Sequence, residues 1–137
     1  MIGLRIPANA KFLIMKAALL SIGLLLLSNG FMTLAWYGHL KFFAKNSGHS
    51  PSLFLVILFS WGLAFFEYCF QVPANRTGFI ENGGPFNLVQ LKVIQEVITL
   101  IVFVLFSVIV FKNIRFGWNQ LAGFGFLICA VYFIFRR

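Results

Sequence analysis

Residues 65–100 read FFEYCFQVPANRTGFIENGGPFNLVQLKVIQEVITL, and the fold turns on how this stretch is divided. One apolar run ends in it and another begins, with Pro73, Gly78, Gly83, Gly84 and Pro85 between them. The first run carries Glu67 and the second Glu96, while the remaining acid of the chain, Glu81, sits in the polar linker. Amides crowd the same segment (Gln71, Asn75, Asn82, Asn87, Gln90, Gln95), together with Arg76 and Lys92. A Glu isolated in an apolar span costs roughly 2.5–3.5 kcal/mol, by analogy with Asp at a helix centre, so it needs a partner or a purpose.

Composition explains why apolar runs dominate. Of 137 residues, 61% are hydrophobic and only 10% are charged, and the mean hydropathy is +0.94. A soluble domain has about half its residues apolar and about a quarter charged, so this composition defines an integral membrane protein. The formal charge of +8 does not point to nucleic acid, because the basic residues stand in ones, twos and threes at the ends of apolar runs. That is where snorkelling and orienting residues belong. Cys69 and Cys129 fit neither a metal knuckle nor a disulfide framework and read as small apolar residues packed in helices. His39 and His49 fall in a polar connection without acids or thiols nearby. No metal and no cofactor are expected.

Outward from the central stretch, four spans emerge. The first covers 17–37, long enough at 1.5 Å per residue to cross a hydrocarbon core of about 30 Å. It is too long for the apolar part of a leader and has no A-x-A site behind it, so it reads as a helix rather than a signal peptide. Asn29, Thr33 and Trp36 share one of its faces, a stripe suited to interhelical hydrogen bonds or to lining a substrate path. The second span covers 52–71 and is expected to stop at Pro73, placing Glu67 about one turn from its end; Ser60, Ala64, Glu67 and Gln71 share a face. Val72 to Asn87 reads as a mobile loop. The third span covers 88–111, with Lys92, Glu96, Thr99, Phe103 and Ser107 on one face and Lys92 able to pair with Glu96 one turn on. The fourth covers 118–135, where Gly125, Cys129 and Tyr132 mark a small-residue stripe. The expectation is one all-α domain, a four-helix transmembrane bundle over 1–137 with no soluble module.

Orientation follows the basic residues. Seven lie in the N-terminus, the second loop and the C-terminus, against four on the other side (Lys41, Lys45, Lys112, Arg115). Both termini are therefore expected in the cytoplasm, with insertion in both orientations left open by so modest a bias. The expected location is multi-pass in a bacterial inner or cell membrane.

The strings FMTLAWYGHLK (31–41), WGLAFFEYCFQVPANRTG (61–78) and QLKVIQEVITL (90–100), with the terminal GWNQLAGF and AVYFIF, resemble a family of small four-helix membrane proteins. That family has no assigned function and is classed with the drug/metabolite transporter (DMT) superfamily. The resemblance implies a four-helix unit like that of the small multidrug resistance transporters. Those work as dimers and exchange protons for cations at a carboxylate in the first helix. Here the first helix has Asn29 and no acid, so that role is not carried over. Residues 80–86 are also longer than the family leads one to expect.

Three functions stand open. One is a transporter of a small molecule, a cation being the case carboxylates suit, with proton coupling as an option and a homodimer as the working unit. The second is a non-transporting structural or assembly partner, with Glu67 and Glu96 paired to Arg76 and Lys92. An intramembrane enzyme has no supporting motif: the spans hold no Ser/His pair, no HExxH and no phosphate-binding glycine loop. The candidate substrate or proton residues are Glu96, Glu67, Gln95, Gln71, Lys92, Arg76, Asn29 and Trp36. Because one loop joins the second and third spans, Glu67 and Glu96 are expected to approach each other.

Overall fold

A computed structural model describes residues 7–43, 51–112 and 117–136. Arg5, Lys45, Gly48, His49, Arg115 and Arg137, which enter the orientation and loop readings above, lie outside the described residues. Helix α1 (Ala8–Thr33) passes through a π-helical turn, Leu34–Gly38, into the short α2 (His39–Phe42). Together they make one rod, Asn9–Phe42, longer at both ends than the expected span. Then follow α3 (Leu53–Gly78), α4 (Leu88–Phe111) and α5 (Trp118–Phe135). All four rods are long and apolar enough to cross a membrane.

Pro73 does not end the second span. It lies inside α3, which runs on to Gly78. Proline removes one rung of the helix ladder, yet in lipid, breaking the helix there would leave several backbone groups without partners, which costs more. The turn after Pro73 is also pinned from outside, Ser21 Oγ donating to the Ala74 carbonyl at 2.8 Å, and the helix's own ladder continues to its cap, where Phe79 N–H donates to Asn75 O at 3.0 Å. As a consequence Glu67 lies near the middle of its helix, eleven residues before Gly78, rather than one turn from its end.

The expected mobile loop is likewise corrected. Its first half belongs to α3, and the remainder folds into a 3-10 turn, Ile80–Asn82, closed by Gly83 at φ 83°. Ile80 and Phe86 are tied by Ile80 N–H to Phe86 O at 2.8 Å, and Phe86 N–H donates to Gly78 O at 2.9 Å. Asn87 then starts α4 with a capping box, its side chain accepting from Gln90 N–H while Gln90 returns a bond to Asn87 N–H.

The first span is the hub. Ser21, Leu25, Ser28 and Ala35 are buried along one seam, with Asn29 and Thr33 beside it. Against this seam α3 runs antiparallel, presenting Glu67, Gln71, Ala74 and Gly78 at helical spacing. Phe31 stacks between Phe66 and Phe70, with ring centroids 5.8 and 5.6 Å away. On the neighbouring flank α4 runs parallel to α1, packing Ile98 onto Leu25 and Ala74 and the Phe103 ring onto Tyr37 at 4.9 Å. The backbones of α3 and α4 both approach α1 and come close to each other at few points, the two helices meeting through side chains at Ala74 with Ile98 and at Gly78 with Leu91. Helix α5 leans on α4 and buries no residue of its own.

Candidate functional site

The polar side chains of the spans meet in a layer near the middle of the bundle. Ser28 lies eleven residues after Ala17 and nine before Tyr37. Its hydroxyl is 3.1 Å from Glu67 Oε1 and 2.7 Å from Gln71 Oε1. Glu67 is only 3% exposed. A serine hydroxyl has one proton to give, so these contacts fit two arrangements. Either Glu67 carries a proton and donates it to Ser28, which donates on to Gln71, or the Gln71 amide turns end for end and donates to Ser28, which donates to an ionised Glu67.

Among the described residues no base reaches this group. From Ala17 to Leu40 the first span has no Lys or Arg, and Arg76 is nine residues along α3, about 13 Å at the helical rise. Lys92–Glu96 is the ion pair among the described residues. The expected pairing of Glu67 with Arg76 is therefore not formed.

Asn29 carries the layer to the other side of α1. Its Nδ2 donates to Leu25 O at 2.8 Å, and its Oδ1 accepts a short hydrogen bond from Thr99 of α4. Adjacent residues Ser28 and Asn29 thus link α3 to α4 through α1.

Glu96 stands elsewhere. Its side chain is 54% exposed, paired to Lys92 on the same helix, and it borders a groove of about 280 Å³ between the first span and α4. Thr33, Trp36, Tyr37, Thr99 and Phe103 form the other walls. The π-helical turn supplies Trp36 and Tyr37 to this groove, and such turns recur at functional positions. The two carboxylates therefore do not meet: Glu67 faces Ser28 in the α1–α3 interface, and Glu96 lies at the open groove between the first span and α4. The physical reason is that α1, rather than the connecting loop, sets which faces of α3 and α4 are used.

Of the residues expected at a site, Glu96 and Trp36 share this groove, with Asn29 behind it through Thr99. Glu67 and Gln71 share the buried interface. Arg76, Lys92 and Gln95 line a separate groove at the end of the bundle. Sequence reasoning missed Ser21 and Ser28, which hold α3 in place; two serines seven residues apart in a leucine run were the available signal. His39, expected in a polar connection, is part of the first rod, and its buried Nδ1 has no hydrogen-bond partner. Cys69 and Cys129 are exposed on the outer surface rather than packed between helices.

These features define a small all-α integral membrane protein with four spans and a mid-bundle polar layer. Its sequence matches, over residues 21–135, the family described as "Putative member of DMT superfamily (DUF486)", and the chain belongs to that family. Neither a curated protein nor a solved structure matches it.

Proposed function

We propose that this protein transports a small cationic molecule across the membrane and that the groove between the first span and α4 receives it. The observation that carries this is Glu96 at the edge of a pocket walled by Trp36, Tyr37 and Phe103. Aromatic faces and a carboxylate are the two groups that attract an organic cation in a low-dielectric setting. Membership of a family placed with drug/metabolite transporters supports the same reading. The groove is open on one side, so a second copy of the chain is its natural closure. The working unit is then a homodimer with both termini in the cytoplasm. Entry of the cation displaces Lys92 from Glu96, or a proton takes the place of the cation on the return step. Glu67, buried and without a base among the described residues, is the second place where a proton is held.

One observation favours the alternative, a non-transporting partner protein: Glu96 is already neutralised by Lys92, and charges inside membranes often pair for structural ends. Purified protein in liposomes, with and without a pH gradient, separates the two. Glu96→Gln is expected to abolish uptake of a lipophilic cation such as tetraphenylphosphonium while the protein still melts normally. Wild-type protein that moves no cation under either condition supports the partner reading instead.

A further inference from the structure

The end of the bundle where α3 finishes and α4 begins holds a groove of about 280 Å³ that the transport reading leaves unused. Asn75, Arg76 and Asn82 line it from α3 and the turn, Gln95 from α4, and Phe79 and Leu91 give it apolar walls. Its charge is uncompensated. Lys92, which also borders it, is taken by Glu96, whereas Arg76 has no acidic partner among the described residues. Glu81, in the same turn, forms no ion pair with it.

The rim is held in place. Asn82 Nδ2 donates to the Arg76 carbonyl at 3.1 Å, and Gly84 N–H donates to Phe79 O at 2.9 Å. Gly84 lies so close to the end of α3 that a Cβ there would fall 2.3 Å from the Gly78 carbonyl carbon. Arg76 also lines a second, wider opening of about 490 Å³ with Ala17, Thr77 and Gly83, next to Lys16 in sequence. The guanidinium thus stands between two openings at the level where the helices leave their apolar segments.

A cationic fork beside amide donors and above apolar walls suits an amphipathic anion. Arginine matches phosphate oxygens in a bidentate manner, and basic pockets between transmembrane helices at the membrane surface take acidic lipid head groups. A zwitterionic head brings a cation of its own, and no carboxylate lines the groove to receive it. We propose that this groove holds the phosphate of an anionic phospholipid, with Arg76 forked onto its oxygens, Asn75 and Gln95 donating beside it, and the glycerol end against Phe79 and Leu91. The site is independent of whether the chain transports.

Native mass spectrometry of the full chain, released from detergent containing equimolar phosphatidylglycerol and phosphatidylcholine of matched chains, tests it. The wild type is expected to retain phosphatidylglycerol in preference. Arg76→Gln should lower that preference about fivefold, the effect of roughly one basic residue at an anionic surface, with Arg76→Lys in between. Lys11→Gln, a basic change lining neither opening, should leave it intact. Gln95→Leu, which alters no charge, should lower the preference too and serves if Arg76→Gln does not fold. Undiminished preference in Arg76→Gln or, should that variant not fold, in Gln95→Leu, or equal loss in Lys11→Gln, overturns the proposal. Millimolar inorganic phosphate should not displace the lipid; displacement would show that the free anion suffices and overturn the lipid assignment.

Discussion

Along the α1–α3 interface the buried positions are small or polar (Ser21, Ser28, Glu67, Gln71, Ala74 and Gly78), with Leu25 the large apolar exception. Along the α4–α5 flank the facing side chains are large and apolar and none is buried, with Leu100, Val104 and Leu105 facing Phe124 and Leu127 across a gap of about 260 Å³. The first pair of helices is clamped, and the second leaves α5 without one buried residue. Hydrophobicity does not explain this, since the α4–α5 flank is the more apolar of the two. Lipid tails are as apolar as leucine, so association within a bilayer gains little from apolar surface and depends on close backbone approach and hydrogen bonds. The residues least suited to a soluble core thus hold this membrane protein together.

The largest effect should come from filling the closest approach in the clamped interface. A Cβ at Gly78 would lie 2.5 Å from Ser21 Oγ and 2.8 Å from Leu91 Cδ2. Gly78→Leu is expected to destabilise the bundle by about 3 kcal/mol, the upper end of ordinary overpacking, as read by unfolding in mixed micelles. Wild-type-like unfolding would mean that the helices meet elsewhere.

Ser28→Ala comes next. It removes the hydroxyl that Glu67 and Gln71 share and leaves a buried carboxyl short of a partner, a loss of about 1–2 kcal/mol. Glu67→Gln keeps hydrogen-bonding capacity at that position and should cost less than Ser28→Ala; the reverse order would show that Glu67 is ionised and accepts from Ser28. Thr99→Val breaks the bond to Asn29 and should cost about 0.6 kcal/mol, the usual value for such a bond between membrane helices.

The smallest effect on stability should fall on the loose flank. Nothing lies within 4 Å of a Cβ built at Gly125, so Gly125→Leu should leave the melting of the single bundle unchanged. A changed oligomer distribution with that unchanged melting would place the face marked by Gly125 and Cys129 between copies. A fall in bundle stability would show instead that α5 packs more tightly than its exposure indicates.

Much of this architecture was legible in the residues. Four apolar runs separated by polar turns specify four helices, because a backbone in lipid must satisfy its own hydrogen bonds. The pairing of Lys92 with Glu96 was also legible, since residues four apart on a helix are neighbours. Pro73 misled, because a rule learned in water ends a helix that lipid continues, and that error moved Glu67 toward a helix end. The linker misled for a related reason: Gly83 and Gly84 signal a turn, but the sequence does not show that Gly84 lies against Gly78.

The chain's composition and periodicity by themselves determined that it spans a membrane four times and where its rare polar groups fall along each helix, because both follow from local hydrophobicity and helical geometry. Tertiary structure alone decided which of those groups meet. Helices α3 and α4 pack on neighbouring flanks of the first span, so Glu67 is enclosed with Ser28 and Gln71 while Glu96 is left at an open groove beside Trp36. Helical spacing assigns residues to a face, and only the packing of one face on another assigns them a neighbour.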